Sequence, residues 1–202
     1  MGILQAVKLR LLAFDARDVS LVSVFSALMA VTTLYAVPLP FGGLTHFGNT
    51  VMWTASILFG GLVGGLAGGI GGMIADLVLG AYIWAPFTPF CKLASGLVCG
   101  LVSGEIKSIN TKTTVKIIFA VISGAVANLL AYAPVYYFII GPGAMLLWLG
   151  RFFLPGPALV TYVATPIITI AVMRVYPRAM TYRSSLKDRA RLKSEQERSR
   201  TE

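Results

Sequence analysis

Between Val19 and Met173 the chain offers only seven Asp, Glu, Lys or Arg side chains: Asp76, Lys92, Glu105, Lys107, Lys112, Lys116 and Arg151. A stretch of that length with so little charge cannot present a soluble surface. Charged residues make up 12% of the 202-residue chain and hydrophobic ones 56%, whereas a soluble domain carries roughly 25% charge. Every other Asp, Glu, Lys and Arg lies in the first eighteen residues or from Arg174 onward. The pattern is that of an integral membrane protein with polar ends. The net charge of +9 therefore marks cytoplasmic flanks, not a nucleic-acid surface. Cys91 and Cys99 sit inside apolar runs and read as small packing residues. Residues 1–18 lack the apolar core and cleavage site of a signal peptide.

A helical span needs about 20 apolar residues. Candidates are 19–38, a region within 49–80, 86–104, 115–140 and 153–173. Basic flanks lie at 8–17, at 107–116 and from 174 onward. If these all face the cytoplasm, an even number of spans must separate neighbouring flanks. The count hinges on "LFGGLVGGLAGGIGGMIADL", residues 58–77, with eight glycines between Gly60 and Gly72. One helix over 49–80 would be about 48 Å long, well beyond the hydrocarbon core, and would place Lys107, Lys112 and Lys116 outside. A turn near Gly60–Gly65 gives two helices and puts every basic cluster inside. Beyond the turn, Gly64, Gly68 and Gly72, with Gly65 and Gly69 beside them, form a small-residue stripe for close helix packing in lipid. A phosphate-binding loop is excluded, because Met73 stands where a Walker motif needs Lys.

The expected fold is an all-α integral membrane protein of six transmembrane helices with both termini cytoplasmic. Residues 1–18 form a cytoplasmic segment, 19–176 the membrane domain and 177–202 a charged cytoplasmic tail. Outer loops are expected at 39–48, 81–86 and 141–152. They carry one basic residue, Arg151, against fifteen in the inner segments.

Ionisable side chains inside a membrane are expensive and point to function. Asp76 and Lys92 both fall roughly 6–9 Å below the outer surface, on consecutive antiparallel helices. They are expected either to form a structural ion pair or to contact a ligand. Asn128, Tyr132 and Tyr136 share one helix face at i, i+4 and i+8, with Tyr162 and Thr165 at a similar level. Tyr82, Trp84, Phe87, His46, Asn49 and Trp53 gather around the same outer mouth. Each aromatic alone reads as an interfacial belt residue. Together they describe an aromatic pocket with a few amide and hydroxyl groups, suited to a flat heterocycle. His46, the sole histidine, has no metal-ligand neighbours in sequence and reads as a lid or surface residue.

Residues 47–101, "FGNTVMWTASILFGGLVGGLAGGIGGMIADLVLGAYIWAPFTPFCKLASGLVCGL", resemble the signature region of substrate-binding S components of energy-coupling factor (ECF) vitamin transporters. The nearest branch includes riboflavin and hydroxymethylpyrimidine carriers. The matching features are Gly48-Asn49-Thr50, Gly60 at the turn, Asp76 followed by Gly80, and "WAPFT" with Lys92 and Gly96. The resemblance implies six helices and a vitamin bound near the outer face beneath the loop joining the first two helices. Its implied partners are a membrane T subunit driven by two ATPase subunits, in the cell membrane. It also implies that a small-xxx-small motif on the first helix meets the T subunit, where this chain has Ser23-xxx-Ala27 and Ser26-xxx-Ala30. The family pattern has an acidic residue in many members where this chain has Asn49, which implies an altered ligand preference.

The candidate substrate-binding residues are thus Asn49, Trp53, Asp76, Trp84, Lys92, Asn128, Tyr132, Tyr136 and Tyr162. Ser23, Ser26, Ala27 and Ala30 are the candidate T-subunit contacts. No catalytic residue, metal or cofactor is expected. A membrane enzyme would need clustered carboxylates, histidines or a nucleophile–base pair. An ion-coupled transporter with Asp76 as coupling site is the alternative function.

Overall fold

The computed structural model describes residues 14–38, 44–104, 106, 108–150, 155–180 and 182. Helix α1, Ala16–Leu34, opens on a capping box: the Asp15 carboxylate accepts from the Arg17 and Asp18 amides, and Asp18 reaches back to the Asp15 amide. This satisfies donors that a helix start otherwise leaves orphaned. Two short strands follow, β1 (Val37–Pro38) and β2 (Leu44–Thr45), paired antiparallel with Val37 opposite Thr45. Then come α2 (Gly48–Phe59), α3 (Gly61–Val78), α4 (Thr88–Ser103), α5 (Thr111–Ile139), α6 (Pro142–Gly150) and α7 (Pro155–Val175).

The glycine stretch does turn, and it does so on one residue. Gly60 takes φ 108° and ψ 152° between α2 and α3, a region closed to side chains with a Cβ. The remaining glycines serve three neighbours. A Cβ added at Gly61, Gly65 or Gly69 would press into α4 backbone at Gly96 and Leu97, Leu93 or Pro89; at Gly64 or Gly68 it would strike Ser56 or Met52 of α2, and at Gly71 Ser26 and Met29 of α1. Glycines Gly96 and Gly100 of α4 meet the Gly65 and Gly61 backbones in return. Helix α3 is therefore the centre of the bundle, packed on α1, α2 and α4, with α4 on α5 and α2 on α7.

Among the described residues, α1, α3 and α5 are long and apolar enough to cross a membrane. Helix α4 and residues 161–175 of α7 are shorter apolar segments. The connections α1–α2, α3–α4 and α5–α6 gather at one end of the bundle, called the mouth below. One expectation changes here. Residues 142–150, expected within an outer loop, form α6: Pro142 starts the helix with a preset φ, and the apolar run after it continues the turn. Beyond α7 the chain still packs on the bundle. Ala179 is buried, and the Tyr182 hydroxyl donates to the buried Asp18 carboxylate at 2.7 Å while its ring meets Phe59 edge-on. Burial and the Asp18 carboxylate raise the Tyr182 phenol above the usual tyrosine range, so it stays a donor at physiological pH. Residues 183–202 and 39–43 lie outside the described residues.

Candidate functional site at the mouth

Two hydrogen bonds fix the register of α4 against α5. Ser95 Oγ donates to the Gly124 carbonyl at 2.7 Å, and Cys91 Sγ to the Ala131 carbonyl at 3.4 Å. Lys92 and Asn128 fall between these two contacts and so share a level. From α2, Trp53 Nε1 donates to Ser95 Oγ at 2.9 Å, which puts Asn49, one turn nearer the mouth, at that level too. The bond that results is direct: Lys92 Nζ donates to Asn49 Oδ1 at 2.6 Å.

Lys92 is 7% exposed and lies 5.6 Å from the Tyr132 ring centroid, where the ring's negative face favours a cation. Asp76 turns elsewhere. Its Oδ2 accepts from Thr88 Oγ1 at 2.5 Å, and Thr88 Oγ1 accepts from the Tyr132 hydroxyl at 2.9 Å. Among the described residues no ion pair joins Asp76 to Lys92; each takes a neutral partner. The expected equal depth does not hold: the seam sets Gly72 against Thr88, so Asp76 stands one turn nearer the mouth than that contact and Lys92 one turn deeper, and Thr88 takes the carboxylate. Asn128 is 8% exposed and its Oδ1 has no hydrogen-bond partner. A buried amide oxygen without a donor costs about 1–3 kcal/mol.

An aromatic cluster covers the polar level. Tyr136 stacks on Trp148 of α6 at 4.7 Å and 15°, and Trp84 lies 4.5 Å from the other partner of that stack, Tyr136. Tyr132 meets both indoles, at 6.4 Å from Trp84 and 5.5 Å from Trp148. Trp148 Nε1 donates to the Leu129 carbonyl at 3.0 Å. Trp53 and Tyr162 form a deeper pair at 6.2 Å. Six of the nine candidate binding residues, Asn49, Asp76, Trp84, Lys92, Tyr132 and Tyr136, are therefore joined by contacts, Trp53 and Tyr162 form a deeper pair, and Asn128 lies at the Lys92 level on α5. His46 accepts the Gly48 amide at 3.2 Å and so helps to start α2.

Three members are additional to the residues expected. Thr88 and Ser95 lie at i−4 and i+3 from Lys92, a helical spacing that sequence shows once Lys92 is singled out. Trp148 was legible only as the aromatic of a short apolar run after Pro142.

The comparisons with known proteins bear on this geometry. A family model for the S component of ECF-type riboflavin transporters matches residues 13–174. The chain belongs to that family. The family is a membrane-embedded transporter component, not an enzyme class. No curated protein matches the chain. Among solved structures, the S component of a bacterial ECF transporter is similar at 19% identity with a TM-score of 0.55, covering 80% of this chain and 96% of that one. That likeness supports the S-component fold.

The candidate T-subunit residues split between two faces. Ser26 and Ala30 are buried, Ser26 beside Gly71 of α3, while Ser23 and Ala27 are exposed. Exposed Val19, Val24, Leu28 and Val31 surround the outward pair.

Proposed function

We propose that this S component is the substrate-binding subunit of an ATP-driven vitamin importer and holds a planar heterocycle, riboflavin or a hydroxymethylpyrimidine-like ring, at an extracellular mouth. The observation that carries this reading is a buried donor and a buried acceptor at one level of α4 and α5, with aromatic rings on the mouth side. Lys92 Nζ retains N–H donors beyond the one given to Asn49, and Asn128 Oδ1 accepts from nothing. A heterocycle edge that presents one acceptor and one N–H donor complements that pair, and the ring plane suits Trp84, Tyr136 and Trp148. Binding there also relieves the desolvated Asn128 oxygen, which favours a polar edge over an apolar one.

The topology proposed with it has six membrane helices, basic termini inside and the mouth outside. The chain carries no nucleotide-binding motif, so energy comes from partners: a membrane T subunit and two ATPase subunits. Ser23 and Ala27, on the exposed face of α1, are the proposed T contact. Ser26 and Ala30 pack inward and serve the bundle. The ion-coupled reading rests on Asp76, whose Oδ2 is already held by Thr88 at 2.5 Å.

Isothermal titration of the purified full-length chain with riboflavin tests the proposal. One-to-one binding that is lost in Asn128→Leu and Lys92→Met supports it. Binding unaffected by both substitutions would move the site elsewhere.

A further inference from the structure

Three helices contribute one polar group each to a continuous hydrogen-bonded chain. Asp76 of α3 accepts at Oδ2 from Thr88 Oγ1 of α4 at 2.5 Å, and Thr88 Oγ1 accepts from the Tyr132 hydroxyl of α5 at 2.9 Å. A threonine hydroxyl has one proton to give, and a carboxylate only accepts. With its proton committed to Asp76, Thr88 meets Tyr132 as an acceptor and in no other way. The direction of both bonds therefore follows from Asp76. Without the carboxylate, the Thr88–Tyr132 bond can run in either direction, or the Thr88 hydroxyl can turn to its own helix backbone.

The chain ends on the site. Thr88 and Tyr132 are 2% and 8% exposed, so water is a poor substitute for either partner. The phenol oxygen lies on the ring axis, and a bond there anchors the far end of the Tyr132 ring. That ring stands 5.6 Å from Lys92 Nζ, which in turn donates to Asn49. Asp76 is only half-buried and lies about two turns nearer the mouth than Lys92. Its effect on Lys92 runs through the two hydroxyls. The α4 member is itself held in place, since a Cβ at Gly72 would meet the Thr88 methyl at 2.8 Å.

We propose that Asp76 is a positioning residue: through Thr88 it fixes the Tyr132 ring over Lys92, and it contacts neither the ligand nor a coupling ion. This assignment rests on Lys92 lying in the ligand site. Position 76 then requires an acceptor and not a charge. Asp76→Asn keeps an acceptor oxygen in the same place, whereas Asp76→Leu leaves none. Thr88→Val keeps a methyl against Gly72 and loses the hydroxyl; Thr88→Ser keeps the hydroxyl and loses the methyl. A carboxylate that held a cation or a ligand donor directly would lose that function as Asp76→Asn.

The test is a riboflavin titration of the full-length protein in lipid nanodiscs. Thr88→Val, Tyr132→Phe and Asp76→Leu are each expected to weaken binding about 3- to 10-fold, the loss of one hydrogen-bonded link. Asp76→Asn and Thr88→Ser should stay within about threefold of the unaltered chain. Asp76→Leu combined with Thr88→Val should bind no more weakly than either alone, because both break the same chain of bonds. Asp76→Asn as damaging as Asp76→Leu, additive losses in the double variant, or no loss in Thr88→Val would overturn the proposal. A readout without ligand keeps it apart from the vitamin reading. The tyrosine ring doublet in ultraviolet resonance Raman, taken as the difference from Tyr132→Phe, reports whether that hydroxyl donates. It should show a donor in the unaltered chain and in Asp76→Asn, and lose that character in Thr88→Val and partly in Asp76→Leu. A Tyr132 signal unmoved by Asp76→Leu would also overturn the proposal. The expected Raman changes in a protein that does not bind riboflavin would support the hydrogen-bonded chain and contradict riboflavin as the ligand.

Discussion

The α3–α4 seam and the α5–α6 seam are built on opposite principles. In the first, backbone meets backbone. Gly61, Gly65 and Gly69 of α3 lie where a Cβ would press into α4, and Gly96 and Gly100 answer from the other side. Such contact has no rotamer to change and no room to yield. In the second, the Trp148 indole packs a nine-residue helix without buried side chains against Tyr136 and bonds the Leu129 carbonyl. The rigid seam holds Asp76, Thr88 and Lys92 in fixed register; at the other, Trp148 packs on Tyr132 and Tyr136. A binding subunit needs the first, because a site must be preorganised.

The largest expected effect comes from breaking the rigid seam. Gly96→Val pushes methyl groups into the Gly65 backbone, which has no side chain to move aside. Overpacking costs typically 1–3 kcal/mol where a core can relax, and more is expected here. The folded, monodisperse fraction in size-exclusion chromatography should collapse. A well-folded Gly96→Val protein would show that the two helices can separate.

Lys92→Met sits at the junction of the two regions. It removes the donor to Asn49 and the cation over Tyr132. Hydrogen bonds to charged groups are worth about 1.5–3 kcal/mol, so titration should show riboflavin affinity falling about 10- to 100-fold while the fold persists. Asn128→Leu sharpens the contrast between stability and binding. It deletes a buried unsatisfied oxygen, so unfolding should move up by about 2–4 °C per kcal/mol recovered. Affinity should nonetheless fall about tenfold. Rising stability with unchanged affinity would remove Asn128 from the site.

Tyr182→Phe probes the far end of the molecule. It loses the hydroxyl bond to Asp18, buried at 1% exposure, at a cost of about 1 kcal/mol. A thermal melt should drop by about 2–4 °C, and riboflavin affinity should not change.

Much of this arrangement was legible in the chain before any coordinates. Charge confined to the ends, with a glycine run too long for one span, led to a turn, and Gly60 makes it. The i, i+4, i+8 spacing of Asn128, Tyr132 and Tyr136 put them on the face that meets α4. Depth was not: counting from Gly80 and Pro86 brings Asp76 and Lys92 level, whereas the seam sets Gly72 against Thr88 and leaves the two about two turns apart. Neither was azimuth. Each residue turns a helix by about 100°, and the rotation of α3 against α4 depends on which glycines meet which backbone. So Asp76 meets Thr88 and Lys92 meets Asn49, where either an ion pair or ligand contact was expected. For the same reason Ser26 and Ala30 turned inward while Ser23 and Ala27 stayed outside. Helix α6 escaped because a nine-residue apolar run beside Gly141 and Pro142 carries the same local signals as a shaped loop.

The most direct test of the central claim is native mass spectrometry of the detergent-purified chain, followed by denaturing release of what it retains. Binding at the mouth predicts one heterocyclic vitamin per chain, absent from Lys92→Met and Asn128→Leu. A chain that retains none, and gains no thermal stability from riboflavin or hydroxymethylpyrimidine, would contradict it.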